Sequence, residues 1–429
     1  MSEVLPKDNA RPQRSASSHR ILAPDIARGL ALLGIALANV ATAWLTPTIV
    51  YSSARLGGIM HDSIWERSYA LFAAMFVHVR GLPMFSTLLG YGVGMIVLSL
   101  WRREYPITKA RAVVMRRYAF LALLGLIHMV FLFWGDIMFF YGVAGVLFAL
   151  IITLKDEFLW MLAGLLAVLS IFFTLGSTVI LPFLVDIPEV SLSSGAVDFS
   201  TKSYGEYVLL GLIILVAQFA AIPSELMMLM PVMIVGFIAA RHRVLSRVDE
   251  FKKPLWIAVA VFLAIALLIG LPWGLAEIGV LPNSYANTFY YLNQAFGPFS
   301  GPGIVAVVAL AVQPLQRRLD QASATGQGYK IAWPVRMVAA LGARSMSGYV
   351  AQSIIFLVLT QKFTLGVGIG GGILVSAAIA GGVWLFTLLG AFALELAHKR
   401  GPFEAAHRYL AYGKEGLQDP YVSPQRALN

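Results

Sequence analysis

The sequence predicts an all-α fold, a polytopic transmembrane helix bundle of about ten helices. Three observations carry this. Of 429 residues, 59% are hydrophobic and only 13% charged, where an ordinary soluble domain has about 25% charged residues. Mean hydropathy is +0.77. The apolar runs are too long for transmembrane β-strands, which need only about 10 residues. Folded in water, such a chain would leave large apolar patches exposed. A soluble enzyme, a disulfide scaffold and a disordered protein are therefore excluded. With 0 cysteines, thiolate nucleophiles and Cys-ligated metals are excluded too.

Taken in order, residues 1–20 hold Lys7, Arg11, Arg14 and Arg20 and read as a disordered N-terminal tail. The run 21–45 is too long for a signal-peptide core and carries Asp25 and Arg28, so it reads as a retained helix. Further spans are expected near 68–100, 118–133, 137–154, 158–184, 205–239, 255–275, 286–314, 335–361 and 370–397. The Gly81-Leu82-Pro83 sequence should break the second span. As one straight helix, 205–239 would run about 50 Å, so Pro223 and Pro231 predict a kink or a re-entrant piece there. The glycine-rich run 366–372 reads as a turn, and no repeat of fixed period stands out. Three parts result: the tail 1–20, a transmembrane domain 21–398 and a C-terminal tail 399–429.

The net charge of +10 comes from 32 Lys+Arg against 22 Asp+Glu. Basic clusters lie at Arg102 to Arg117, Arg241 to Lys253, Arg317 to Lys330, and His398 to Lys414. With ten spans, all of them fall on the side of the N-terminus. The loop 185–206, with Asp186, Glu189, Asp198 and Glu206, falls opposite. The positive-inside rule then puts both termini in the cytoplasm, with the chain in the cytoplasmic membrane. The charge reads as topology and attraction to anionic lipids of the bilayer, not as nucleic-acid binding.

Ionisable groups inside spans are costly and face partners or wet cavities. Asp25 and Arg28, three residues apart, share a helix face near the inner surface. They suit a structural ion pair or, for Arg28, an anionic ligand group. Asn39, His78, Arg80, His128 and Asp136 all fall in the outer half of the membrane, from three consecutive spans. A lone buried His is more often structural. Two His, an Arg and an Asp at one depth point instead to a site, since a carboxylate beside a His fixes its tautomer and raises its basicity. Glu225, Arg344 and Gln352 are further polar groups suited to lining such a cavity, as substrate contacts. Two His and one Asp are few ligands for a metal, and no H-E-x-x-H motif is present, so no metal is expected.

Several stretches stand out as motifs. They are Asp25-Ile26-Ala27-Arg28-Gly29 ending at Asn39, Phe85-Ser86-Thr87-Leu88-Leu89-Gly90-Tyr91-Gly92, and the block from Arg116-Arg117 through His128 and Trp134-Gly135-Asp136 to Tyr141. Later come Gly342-Ala343-Arg344-Ser345 with Gln352, and Gly401-Pro402-Phe403-Glu404 with Arg408 and Tyr412-Gly413. Together they resemble the YeiB-like family of bacterial multi-pass membrane proteins. That family is similar to the membrane acyltransferases related to heparan-α-glucosaminide N-acetyltransferase and the acyltransferase-3-like sugar O-acylases. The resemblance implies acyl-CoA as co-substrate, with Arg28, Arg116 and Arg117 at its phosphates, and a sugar, glycolipid or other envelope acceptor. It leaves two candidate bases, His128 in the tight motif block and His61 in the first outer loop, with His78 and Arg80 assisting. The sequence reading favours His128 with Asp136. A secondary transporter or lipid flippase would use the same buried charges. Self-association into a homo-oligomer is left open.

Overall fold

In the computed structural model, residues 21–45, 54–177 and 201–421 are described. The N-terminal tail 1–20 and most of the acidic loop 185–206 lie outside them. The long helices run through apolar sequence, because in lipid the backbone must satisfy its own hydrogen bonds. The helices are α1 (Leu22–Asn39), α2 (Ile64–Phe76), α3 (Gly81–Arg102), α4 (Ile107–Phe131) and α5 (Met138–Ile151). Next come α6 (Asp156–Leu175), α7 (Tyr204–Arg241), α8 (Lys252–Ile265), α9 (Leu271–Glu277) and α10 (Ser284–Phe296). The last are α11 (Gly301–Ala324), α12 (Trp333–Ala343), α13 (Ser345–Thr360), α14 (Gly372–Leu396) and α15 (Pro402–Tyr412).

Among the described residues, 8 helical segments are long and apolar enough to cross a membrane, which makes this a multi-pass membrane protein. Two expected spans, α5 and α13, are apolar but shorter, at 14 and 16 residues. The second span breaks where expected, with α2 ending at Phe76 and α3 starting at Gly81. The run 366–372 is a turn, and Gly366, Gly368, Gly370 and Gly372 take positive φ values that residues with a Cβ adopt only under strain.

Two expectations need correction. The segment around Pro223 and Pro231 is one continuous 38-residue helix, which overturns the re-entrant alternative and leaves the kinked helix standing. Each proline forfeits one hydrogen bond, but the helix is braced along its length by α3 and α6. The ninth span is two helices, α12 and α13, divided at Arg344.

Glycines let the principal helix pairs approach closely. A Cβ on Gly90 of α3 would collide with the Met233 backbone of α7, and one on Gly236 of α7 with the Thr87 carbonyl of α3. Gly125 and Gly142 do the same for α4 and α5, as Gly29 and Gly342 do for α1 and α12. Large side chains such as Phe158, Phe172, Val216 and Phe386 point outward and form the lipid-facing girth.

The basic clusters gather at one end of the bundle. There Arg241 bonds Asp156 and the carbonyls of Ile152 and Leu154. Arg317 pairs with Asp249, holding that loop carboxyl well below the usual range.

Candidate functional site

Asp136 closes the turn Trp134-Gly135-Asp136 between α4 and α5. Its Oδ2 accepts from the Phe139 backbone N–H at 2.6 Å, capping the start of α5. Its Oδ1 lies 2.7 Å from His128 Nδ1, and both side chains are almost wholly buried. Among the described residues, neither imidazole nitrogen nor Asp136 Oδ1 has a partner in hydrogen-bond geometry, so the pair is a close approach of two buried polar groups. Tyr349 of α13 lies 5.1 Å from the imidazole, centroid to centroid. Phe133 meets the ring edge-on and itself stacks at 4.7 Å on Trp44 at the far end of the first span. The arrangement is a buried His–Asp contact closed off by aromatic rings.

A cavity of about 430 Å³ opens at the basic end of the bundle. Arg28, Arg117, Arg400 and Arg408 stand at its mouth, and Leu32, Ile35, Leu89, Ile96 and Leu121 line its walls. Its floor is Ile137, Met138, Tyr141 and Tyr349. From Ile96 down to Phe85 along α3 is roughly 16 Å at 1.5 Å per residue. At the floor Phe85 stacks on Tyr141, whose hydroxyl lies 3.0 Å from Ser86 Oγ and 3.1 Å from the Leu82 carbonyl. His128 and Asp136 stand behind this floor, with Tyr349 touching both the cavity and the imidazole.

The short helix α15 roofs the mouth. His407 Nε2 bonds the Arg117 carbonyl at 2.8 Å, and Arg117 donates to the Tyr412 hydroxyl at 2.9 Å. Burial, and then the Arg117 charge, push His407 down to about 4, so it is neutral at pH 7 and its Nε2–H is the donor. Glu404 reaches the start of α13, accepting from the Met346 and Ser347 N–H groups at 2.8 and 3.1 Å and from Ser347 Oγ at 2.5 Å. It supplies acceptors that the first turn of a helix cannot find within itself.

The other expected site residues divide. Arg28 and Arg117 line the cavity, and Asp25 sits 3.9 Å from Arg28. Arg116, one position away, faces outward and is exposed. His78 and Arg80 are buried in the break between α2 and α3, in a separate cluster. His78 packs edge-on against Trp273 of α9. Arg80 bonds the Met75 and Val79 carbonyls and Asn293 of α10, 2.8 Å away, so it fastens the break.

His61 is highly exposed in its loop, 3.7 Å from Glu66. Asn39 is half-buried at the end of α1. Glu225 accepts from Gln218 two turns earlier on α7. Gln352 bonds Thr387 of α14. Arg344 is occupied by the Lys399 carbonyl and Glu395, so it ties α13 to the end of α14 and does not line the cavity. Tyr141, Tyr349, Arg400 and His407 were not assigned roles from sequence, although Tyr141 and Tyr349 sit in or beside the motif blocks that also hold His128 and Arg344.

Residues 239–414 match the model of a family described as a protein of unknown function, DUF418. This part takes in the late motif and α15, while the opening helix and the block 116–141 lie outside it. Over 124 residues the chain is 32% identical to a protein of Escherichia coli (strain K12) called uncharacterized protein YeiB, a match covering 29% of this chain and 29% of that protein. No solved structure matches. The chain is thus similar to the DUF418 family over its residues 239–414, and to YeiB over less than a third of either protein's length.

Proposed function

We propose that this membrane protein transfers an acyl group from cytoplasmic acyl-CoA to a hydroxyl of an envelope sugar, glycolipid or similar acceptor. The observation that carries the reading is the buried 2.7 Å pair of His128 and Asp136 behind the floor of a cavity with a basic mouth. Arg28 and Arg117 suit the CoA phosphates, because a guanidinium donates two parallel hydrogen bonds. The apolar walls suit the pantetheine arm and a thioester at the floor.

In this reading His128 Nε2 takes the acceptor's hydroxyl proton as the oxygen attacks the thioester carbonyl. The C–O bond forms and the C–S bond breaks. The CoA sulfur leaves and takes the proton back from His128. Asp136 holds the imidazole in the required tautomer and balances its transient charge. Tyr349 on the cavity side and Phe133 on the far side must turn aside to admit the two substrates. Both termini then lie in the cytoplasm, and the far end of the bundle faces the acceptor.

The test is incubation of the purified protein with radiolabelled acyl-CoA and envelope lipid extract, following CoA release and label transfer. The wild type should turn over, His128→Ala should lose about 10²–10⁴-fold, and His61→Ala should stay near wild type. Loss confined to His61→Ala would move the base to the outer loop. No turnover by the wild type would overturn the reading in favour of a transporter built on the same buried charges.

A further inference from the structure

We propose that Arg400 and Arg408, carried by the segment around α15, complete a four-arginine clamp with Arg28 and Arg117 for the phosphate of an amphiphile whose apolar part fills the cavity. The inference shares the cavity with the acyl-transfer reading but does not require the chemistry. It requires only an anionic headgroup at the mouth.

Three helix systems converge there. Arg28 comes from α1, Arg117 from α4, and Arg400 and Arg408 from the chain after α14. Asp25 pairs with Arg28 at 3.9 Å, while the one carboxylate among the cavity-lining residues, Glu404, is committed to the first N–H groups of α13. Among the described residues, Arg400 and Arg408 form no ion pair, and Arg408 merely lies over the Tyr412 ring at 5.9 Å. Isolated interfacial arginines would satisfy the positive-inside rule anywhere on this end. These four instead surround one opening, and the two late ones are held in place by a helix fastened at both ends.

The fastening uses other residues. Glu404 ties the start of α15 to α13, while His407 and Tyr412 tie its later turns to Arg117. The two arginines contribute nothing to that docking, so their charge is available to a ligand. Guanidinium groups match phosphate by planar, bidentate hydrogen bonding. The apolar walls below exclude a free inorganic ion as the full occupant and select a ligand with a greasy arm. A nucleotide thioester and an anionic lipid both have this chemistry.

Calorimetry on the detergent-purified full chain would use hexanoyl-CoA, short-chain phosphatidate and, as an uncharged control, S-hexanoyl pantetheine. The wild type should bind at least one of the phosphate probes, more weakly as salt rises, and bind the pantetheine thioester far less well. The double variant Arg400→Gln/Arg408→Gln should lose about tenfold or more in affinity, the scale of one charge-assisted hydrogen bond. Arg400→Lys/Arg408→Lys should keep part of it, and Lys253→Gln/Arg318→Gln, exposed elsewhere on the same end, should lose nothing. If the Gln variant proves unstable, the wild-type salt dependence and the Lys variant carry the test.

Binding of phosphatidate without hexanoyl-CoA would support the clamp and remove the acyl-CoA reading. The reverse would support the clamp as a nucleotide-thioester site. Wild-type affinity in the Gln variant, salt-independent binding, or no binding of either phosphate probe would overturn the clamp, even if acyl transfer were observed.

Discussion

Asp136 serves His128 and the start of α5 at once, one carboxylate oxygen 2.7 Å from the imidazole Nδ1 and the other 2.6 Å from the Phe139 N–H. The side chain in contact with the imidazole also fixes the turn that brings the two together, so the contact and the helix cap are coupled at this residue.

Asp136→Ala should cost more stability than His128→Ala, because it removes a helix cap worth about 1 kcal/mol and strands a buried imidazole as well. Asp136→Asn should keep much of the cap yet reduce transfer toward the His128→Ala level. A double-mutant cycle on thermal unfolding should show coupling of about 0.5–3 kcal/mol between the two positions. Strict additivity would mean that the close approach carries no energy.

Docking of α15 should depend on pH through His407. An undocked His titrates near 6.5, and in the docked helix burial and the Arg117 charge push it down to about 4. The undocked form therefore binds the proton first. Docking is strongest above about pH 6.5, weakens as the pH falls toward about 4, and levels off below. The Arg117 charge opposes protonation, and the Arg117 carbonyl bonded to Nε2 favours it in part. Hydrogen exchange of the α15 amides, corrected for intrinsic rate, should rise between pH 7.5 and 5 in the wild type and stay flat in His407→Gln.

Gly90→Leu should separate α3 from α7 and lower thermal stability by about 1–3 kcal/mol or more, since a Cβ there meets backbone and not a movable side chain. Gly164→Leu is the matched control, because a Cβ at Gly164 meets open space. Equal melting temperatures for the two variants would contradict the close packing.

Because the chain has 0 cysteines, single-cysteine labelling reads sidedness directly. Lys109→Cys should be shielded from an impermeant maleimide in intact cells and Asn283→Cys should react. The opposite pattern would invert the orientation and place the basic mouth outside.

Hydropathy located the spans because each helix must be apolar over most of its length to lie in lipid. The break at Gly81 and the pairing of His128 with Asp136 across a tight turn were legible because the cause is local in sequence. The placement of His78 and Arg80 was not. Depth along a helix follows from counting residues, but the direction a side chain faces follows from packing. Arg80 finds Asn293 213 residues away, on α10. Arg344 was read as a substrate contact and is instead held by the Lys399 carbonyl, 55 residues on. The roof over the cavity was missed for a related reason. A polar segment after the last span reads as a tail, and only the motif Gly401-Pro402-Phe403-Glu404 marked it as something more.

The Glu404 contact also orders events during synthesis. The N–H groups of Met346 and Ser347 wait for an acceptor that lies 58 and 57 residues further along the chain. The whole of α14 must emerge from the ribosome and enter the bilayer first. At about 5–20 residues per second, that delay is roughly 3 to 12 seconds. Through it the first turn of α13 stays uncapped at the membrane surface, exposed to whatever chaperone or protease meets it. Assembly of this bundle therefore finishes from its C-terminal side, when the late helix folds back and closes a turn made many residues earlier.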